Sequence, residues 1–310
     1  MKVEETGKKQ GDMEEEKIIK WLKSHCLPER TEVKTGIGDD TAVIDFNSTS
    51  YLLLTTDAVV ENVHFKINDA SFYQIGWKAL GVNISDIAAM GGSPLWALVS
   101  IGMPKKIVSA YKKLYKGILD MSKLFHVDII GGNLSRSEIL FVDIFLAGTV
   151  KKKNLVLRST AKPGDILFVT GSLGGSQKRK QFTFIPRVRE AQAIISRVKP
   201  SAMIDLSDGL AADARKLAEA SGCGFEIAIS KIPVSQDACE KDKIVSALYD
   251  GEDYELLLAI PPESVRSLPT IVNGIPVTEI GRLTKKKTFV LKHTNGSTNK
   301  ISKDKFRHFE

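Results

Sequence analysis

The hydrophobic and polar positions along this chain follow two periods, one typical of helices and one typical of strands. Apolar side chains recur at helical spacing in residues 12–25, 72–90 and 107–125, which predicts three helices. A further helix is predicted from Ser207 to about residue 221, after a charged stretch that ends near residue 189. Short apolar runs bounded by turn residues predict strands at residues 36–46, 51–60, 96–104, 127–133, 139–150, 166–171, 203–206, 224–229, 254–260 and 288–291.

The order of these elements predicts an α+β fold in two domains. Helices and strands are interspersed without the strict strand-helix-strand rhythm of a doubly wound sheet. The composition changes at residues 151–165 (KKKNLVLRSTAKPGD), where a basic run, a proline and a glycine precede a strand. We therefore expect a loose tail at residues 1–11, an N-terminal domain at 12–150 and a C-terminal domain at 151–310.

Composition changes this picture little. The chain of 310 residues is 43% hydrophobic and 26% charged, which is ordinary for a globular protein. We find no apolar run long enough for a membrane helix and no apolar signal segment at the start, so a cytoplasmic protein is expected. Cys26, Cys223 and Cys239 are widely spaced and predict neither disulfides nor a zinc site. The net charge of +7 comes with short basic runs and no nucleic-acid motif, so solvated loops are expected there.

The predicted helix at residues 72–90 is apolar nearly all round, yet it contains Asp86. A carboxylate removed from water is costly unless it is paired or binds a metal. Asp86 therefore predicts a partner elsewhere in the chain.

Asp86 belongs to a set of carboxylates that share one feature, a place at the end of an apolar strand or inside a buried helix. The stretches are GIGDD, TTD, NISD and IDLSD, with Asp39, Asp40, Asp57, Asp86, Asp205 and Asp208. Each one alone is explained as a helix cap or a strand end. Several carboxylates in one cleft would repel each other, and Mg²⁺ holding phosphate groups is the usual remedy in proteins.

The common phosphate-binding motifs do not accompany these carboxylates. The sequence contains no GxxxxGK[ST] loop and no protein-kinase glycine loop. Residues 170–178 (TGSLGGSQK) match such loops in glycine content alone, and a flexible surface turn is the preferred interpretation.

Seven blocks carry a more specific signal. They are GIGDDTAV, TTDAVVENVHF, KALGVNISDIAAMGG, IIGGN, RSTAKPGD, IDLSDGL and GEDYEL. Their order and spacing resemble the thiamine-monophosphate kinase family, of the superfamily that includes aminoimidazole ribonucleotide synthetase. The resemblance extends from about residue 12 to the C-terminus.

The resemblance implies ATP-dependent phosphorylation of thiamine monophosphate to thiamine diphosphate, with several Mg²⁺ ions and direct in-line transfer. It also implies a homodimer in which the N-terminal sheets of two subunits pair. The implied metal ligands are Asp40, Thr55, Thr56, Asp57, Asp86, Asp205 and Asp208. The implied ATP contacts are Arg158 and Ser207, and the implied thiamine monophosphate contacts are His64, Glu252 and Phe306. From the residues alone, each of these last five has a purely structural explanation as well.

The chain departs from the family at GGNL, where the family usually has GGDT. Asn133 thus stands at a metal-ligand position in place of a carboxylate, and the resemblance implies that Gly132 and Asn133 also contact ATP. Phe125, a further implied ATP contact, stands where the family often has a nucleotide-stacking tyrosine. An amide oxygen still coordinates Mg²⁺ but holds it less tightly than a carboxylate does. The stretch between the glycine-rich turn and Pro186 is also shorter than usual. These departures leave two alternatives open, another ATP-using enzyme of the superfamily and a Mg·ATP-binding protein with weakened catalysis.

Overall fold

The computed structural model describes residues 11–239 and 241–301. Its α-helices are α1 (Gly11–His25), α2 (Phe72–Ala89), α3 (Tyr111–Phe125), α4 (Val188–Arg197), α5 (Leu210–Ala220) and α6 (Lys243–Tyr249). Short 3₁₀ helices span Lys105–Ala110, Lys152–Asn154, Ser176–Lys178, Lys180–Phe182, Ile229–Lys231 and Pro262–Ser267. None of the helices in the described part of the chain is long and apolar enough to cross a membrane.

Strands of the first half form one sheet, in the order β1-β2-β3-β6-β4-β5. These strands are β1 (Val33–Thr35), β2 (Ala42–Asp45), β3 (Ser50–Val60), β4 (Ser93–Met103), β5 (Asp128–Arg136) and β6 (Phe141–Lys151). Neighbouring strands are antiparallel except β4 and β5, which are parallel. Strand β5 is the last in this order and therefore lies at an edge of the sheet. Helices α2 and α3 pack together, and α2 covers one face of this sheet.

Strands of the second half form another sheet, in the order β14-β13-β9-β12-β7-β10-β8, with β11 paired to β12. These strands are β7 (Ile166–Thr170), β8 (Ala202–Asp205), β9 (Gly224–Ala228), β10 (Leu256–Ile260), β11 (Ile271–Val272), β12 (Ile275–Thr284), β13 (Phe289–Lys292) and β14 (Thr298–Lys300). The predicted mixture of helices and strands in two halves is confirmed. The exact boundary near residue 150 stays a prediction.

Helix α2 is buried nearly all round, as its sequence predicts. Ser71 begins it with a capping box: its side chain accepts a hydrogen bond from the Gln74 backbone N–H, and the Gln74 side-chain oxygen accepts one from the Ser71 backbone N–H. Thirteen of its residues are buried, including the polar Lys78, Asn83 and Ser85. This helix therefore brings polar groups into the interior, where they need partners.

The predicted elements differ from the structure at several places. The predicted strand at 36–46 is reduced to Ala42–Asp45, because residues 36–41 form bends and isolated bridges that shape a loop. The elements that were not predicted at all are helices α4 and α6 and strands β1, β11, β12 and β14.

Candidate active site

Carboxylates from both halves of the molecule meet in one cleft. Asp40 comes from the loop before β2, Asp57 from β3 and Asp86 from α2, while Asp205 ends β8 and Asp208 lies in the turn before α5. The cleft has a cavity of about 220 Å³. His64, Arg158, Ser207 and Glu252 line it as well. The structure thus brings together nine of the side chains that the sequence predicts for the site.

Hydroxyl groups orient two of these carboxylates. The Thr55 hydroxyl on β3 donates to Asp86 Oδ2 at 2.5 Å, and the Ser85 hydroxyl on α2 donates to Asp205 Oδ2 at 2.6 Å. Asn83, one turn earlier on α2, accepts the backbone N–H of Asp57 at 3.0 Å. Asp86 therefore has the partner that its apolar helix predicts, and α2 positions carboxylates on both sheets.

Three carboxylates lie unusually close to one another. One oxygen each of Asp40, Asp86 and Asp205 falls within 4.8 Å of the others. The Asp40 side chain is 4% exposed, and its Oδ2 atom has no hydrogen-bond partner among the described residues. A buried anionic oxygen without a donor is costly, and a hard cation with oxygen ligands would satisfy it. These residues fit a divalent cation such as Mg²⁺.

The electrostatics of the cluster agree with its crowding. Burial raises the pKa of Asp40 to about 6, against the Arg158 charge and with help from Asp39. Asp57 keeps part of its surface open, yet the surrounding protein and the carboxylates of Asp208, Asp143 and Asp40 raise its pKa to about 7. Burial and neighbouring carboxylates also raise the pKa values of Asp86 and Asp205 well above the ordinary range. Negative charge is therefore unfavourable here until a cation compensates it.

Two cations border the cluster on one side. The Arg158 guanidinium pairs with Asp40, and its Nε lies 3.4 Å from Asp39 Oδ1. The backbone N–H of Arg158 donates to Asp39 Oδ2 at 3.2 Å. Lys216 on α5 pairs with Asp208 at 2.6 Å and with Asp213 at 2.8 Å. Burial opposes the charge of Lys216, but these two carboxylates raise its pKa. The rim of the cleft therefore combines fixed positive charge with the carboxylates.

The other end of the cleft is built around a buried ion pair. Lys78 on α2 is 1% exposed and pairs with Glu252. The same ammonium group donates to the His64 carbonyl at 2.9 Å and to Gln181 Oε1 at 2.7 Å. The His64 Nδ1 atom accepts the Val60 N–H at 3.1 Å. Two of the three predicted substrate contacts, His64 and Glu252, are thus held by one lysine.

Five of the predicted site residues do not line this cavity, and one of them, Thr55, reaches it through its hydrogen bond to Asp86. Thr56 points to the opposite face of the sheet from Asp57, Phe125 is buried in the N-terminal core, and Asn133 is exposed on edge strand β5. Gly132 has a φ of +151°, and a Cβ there would lie 1.9 Å from the Val99 carbonyl oxygen, so the backbone itself requires glycine. Phe306 lies outside the described residues.

The glycine-rich turn at residues 170–178 already has carboxylate partners. The Gly174 N–H donates to both Asp253 oxygens at 3.1 Å, and the Gly175 N–H donates to Asp250 Oδ2 at 2.9 Å. These amides are therefore engaged by the chain's own carboxylates, as in a structural turn. The expected surface position is wrong, because residues 173–176 are buried.

Several functional neighbours were not predicted. They are Lys78, Asn83, Ser85, Asp143, Asp213 and Lys216. The buried polar positions of α2 gave a usable signal, because an apolar helix that also carries Lys78, Asn83 and Ser85 needs several partners. Asp143 and Lys216 lie in ordinary amphipathic patterns that give no such signal.

Family models match both halves of the chain. The model described as AIR synthase related protein, N-terminal domain, matches residues 38–150, and the model for the C-terminal domain of the same proteins matches residues 162–294. The fold class expected from the sequence, two α+β domains of this type, is therefore confirmed.

Individual relatives give the same result over nearly the whole chain. Thiamine-monophosphate kinase of Bacillus subtilis (strain 168) is 36% identical over 92% of this chain and 98% of its own. The solved structure of AaThiL complexed with AMPPCP and TMP is 33% identical, with a TM-score of 0.80 over 94% of this chain and 96% of its own. Thiamine monophosphate kinase from Aquifex aeolicus is 30% identical, with a TM-score of 0.73 over 93% and 99% of the two chains. This chain therefore belongs to the AIR synthase related proteins and, among them, to the thiamine-monophosphate kinase family.

Proposed function

We propose that this protein transfers the γ-phosphoryl group of ATP to the phosphate of thiamine monophosphate and so forms thiamine diphosphate. The observation that carries the proposal is the carboxylate cleft in a chain that superposes on AaThiL, which was solved with AMPPCP and TMP. An ATP analogue and a monophosphate bound together are the two substrates that such a transfer requires.

We propose different roles for the two ends of the cleft. Asp40, Asp57, Asp86, Asp205 and Asp208 are proposed to hold Mg²⁺, and Thr55 orients Asp86 for this task. Bound Mg²⁺ would neutralise phosphate oxygens and align the two substrates for in-line displacement.

Arg158 and Ser207, at the carboxylate end, are proposed to contact ATP. His64 and Glu252, at the opposite end, are proposed to contact thiamine monophosphate. Phe125, Gly132 and Asn133 stay predicted ATP contacts, and Thr56 and Asn133 stay predicted metal ligands.

The proposed reaction has no need of a strong general base. The acceptor is a phosphate oxygen, which is already largely ionised near neutral pH, unlike the hydroxyl acceptors of other kinases. The work left to the protein is to bring together two polyanions that repel each other. We therefore propose direct transfer without a phosphoenzyme, and a stable labelled protein after incubation with γ-labelled ATP would contradict that step.

A homodimer is proposed for the whole molecule. The sheet face opposite α2 exposes Trp96, Leu98 and Phe145, and edge strand β5 exposes Ile130 and Leu134. An uncovered apolar face and an open edge strand together favour a second copy as the partner.

The direct test is formation of ADP and thiamine diphosphate from ATP and thiamine monophosphate, with and without Mg²⁺. We expect product that depends on Mg²⁺ and a loss of at least about 100-fold in kcat for Asp86→Asn, since that change removes charge needed to hold cations in the cleft. Asp128→Asn, an exposed carboxylate on β5, is the matched control and should leave the rate unchanged. Tight Mg·ATP binding without product would favour the binding protein, and phosphorylation of a different acceptor would favour a sister enzyme.

A further inference from the structure

A second cavity lies beyond the substrate end of the cleft. It has a volume of about 410 Å³ and shares His64 and Glu252 with the carboxylate cleft. Its other walls come from the segment after β3 and from the two short 3₁₀ helices at Ser176–Lys178 and Lys180–Phe182. The cleft therefore continues past His64 and Glu252 into a space that the five clustered aspartates do not line.

Lys78 on α2 lies behind the wall of this second cavity and contacts four of the residues that form it. Its ammonium group donates to the His64 carbonyl at 2.9 Å and to Gln181 Oε1 at 2.7 Å, and it pairs with Glu252. The same group lies 5.2 Å from the centre of the Phe182 ring. An ammonium group has three N–H donors, and these three acceptors use all of them. Lys78 therefore acts on a bound molecule through its neighbours and not by direct contact.

The backbone at Glu252 also needs support from its surroundings. Its φ of +56° lies in the left-handed region, which residues with a side chain rarely adopt. Its N–H donates to the Ser207 carbonyl at 2.7 Å, which fixes the backbone, while Lys78 fixes the carboxylate. Gln181 donates through Nε2 to the Gln177 carbonyl at 2.9 Å, so its oxygen is directed at Lys78. An uncommon backbone conformation that is held from several sides is typical of functional sites.

We propose that Lys78 is a positioning residue for thiamine monophosphate and acts through Glu252. The inference rests on the proposed function, because it takes this substrate to bind at the Glu252 end of the cleft. The His64 carbonyl and Gln181 hold the ammonium group, and the ammonium group holds the Glu252 carboxylate at the boundary of the two cavities. A carboxylate fixed there accepts a hydrogen bond from the amino group of thiamine and attracts its positively charged ring.

The position of Lys78 on α2 separates a positioning role from a purely structural one. Asp86 follows eight residues later, about two turns along the same helix, at the end of the cleft proposed for ATP. A substitution that merely disturbed α2 would therefore impair the use of ATP and of thiamine monophosphate alike. Loss of a positioning contact impairs the use of thiamine monophosphate alone.

The test measures binding of thiamine monophosphate to the full-length protein with Mg²⁺ by isothermal titration calorimetry, and the KM values of both substrates by product formation. We expect Lys78→Met to weaken binding of thiamine monophosphate by on the order of tenfold or more, because small displacements of a contact residue are costly. The KM for ATP should stay nearly unchanged. Lys123→Met, at an exposed lysine of α3, is the matched control and should bind as the unchanged protein does.

A double variant keeps the test decisive if thermal unfolding shows that Lys78→Met folds poorly. Lys78→Met/Glu252→Gln leaves no buried charge unpaired. Glu252→Gln alone should weaken binding of thiamine monophosphate. The double variant should bind it nearly as Glu252→Gln does, because the lysine acts through the carboxylate that is already lost.

The outcomes separate this inference from the proposed function. If the unchanged protein forms thiamine diphosphate, three results would overturn the inference alone: unaltered affinity in Lys78→Met, an equal rise of both KM values, or a double variant that binds far more weakly than Glu252→Gln. Weakened binding in Lys78→Met, together with no product from the unchanged protein, would support the inference and reject the proposed transfer. An unchanged protein that binds no thiamine monophosphate would overturn both.

Discussion

At the scale of single residues, Lys78 has the widest influence on the substrate end of the cleft. Its ammonium group is buried and touches three segments that are distant in sequence, through the His64 carbonyl, Gln181 and Glu252. Burial lowers the pKa of Lys78, and the Glu252 charge opposes that shift. Without the lysine, Glu252 would remain as a buried carboxylate lacking its counter-ion.

We expect Lys78→Met to lower the free energy of unfolding by about 3–5 kcal/mol, because breaking a buried ion pair from one side leaves the other charge unpaired. The double variant Lys78→Met/Glu252→Gln should recover part of that loss. Urea unfolding measures both effects, and Lys66→Met, at an exposed lysine, is the control. A loss below about 1 kcal/mol for Lys78→Met would contradict this account of the pair.

Asp253 predicts a pH dependence of stability. Burial raises its pKa to about 7 from 3.8, so the folded protein binds this proton more tightly than the unfolded chain does. The associated stability is fully present at low pH and is lost as pH rises through the folded pKa. In the variant Asp253→Asn the side chain does not titrate, so this loss of stability with rising pH does not occur. Its free energy of unfolding should therefore improve relative to the unchanged protein between about pH 5 and about pH 8, by on the order of 2 kcal/mol.

Urea unfolding at the two pH values tests this expectation. Asp237→Asn, at an exposed carboxylate of the same half, should show no such trend. A relative stability of Asp253→Asn that stays constant or falls with rising pH would be inconsistent with the raised pKa.

The sequence singled out Asp40, Asp57, Asp86, Asp205 and Asp208 because apolar strands or an apolar helix surround them. The structure brings all five into one cleft, although Asp57 lies inside β3 and not at its end. Their roles as metal ligands stay a prediction. Their supporting contacts were not predicted, because they join residues far apart in sequence. Ser85 and Asp205, for example, are separated by 120 positions.

At the scale of elements, glycines fix the position of the helix that carries Asp86. Gly76 of α2 lies against α3, where a Cβ would come within 2.0 Å of the Leu114 carbonyl oxygen. Gly117 of α3 makes the reciprocal approach, 1.9 Å from the Tyr73 carbonyl oxygen. The two helices therefore meet backbone to backbone.

We expect Gly76→Ala to destabilise the fold by about 1–3 kcal/mol, although alanine favours a helix by about 1 kcal/mol over glycine. The added methyl group would push α2 away from α3 and displace Asp86 from the cleft. Unfolding free energy and kcat should both fall. Lys113→Ala on the exposed side of α3 is the control, and a more stable Gly76→Ala protein would show that the helices are not in close contact.

Two of the elements that the sequence did not predict lack the usual sequence signals for identifiable reasons. Strand Ile275–Thr284 buries Val277 in one core cluster and Ile280 and Leu283 in another, and a bulge interrupts its pairing between Glu279 and Gly281. Alternation with a period of two is therefore lost, and with it the signal of a strand. Helix Val188–Arg197 begins without a side-chain cap and within a charged stretch, so no start signal marked it.

At the scale of the whole molecule, the exposed apolar face of the first sheet, opposite α2, predicts how the protein assembles. Leu98 on that face is 39% exposed, while Leu119 on α3 is 42% exposed. In a monomer the two positions would tolerate a charge equally. In the proposed dimer Leu98 would be covered by the partner.

We expect the protein to sediment as a dimer and Leu98→Lys to sediment as a monomer, because a lysine charge would be buried in the interface. Leu119→Lys should remain dimeric. Analytical ultracentrifugation over a range of concentrations measures this. A dimer that survives Leu98→Lys would place the interface elsewhere.

The hydrogen bond from Ser85 to Asp205 joins a helix of the first half to a strand end of the second, within the cleft. The distance between the carboxylates therefore changes whenever the angle between the two halves changes. A cation bound by both Asp86 and Asp205 would link the two halves. Substitutions deep in either core that tilt one half against the other would then be felt first as lost affinity for metal, long before the protein unfolds.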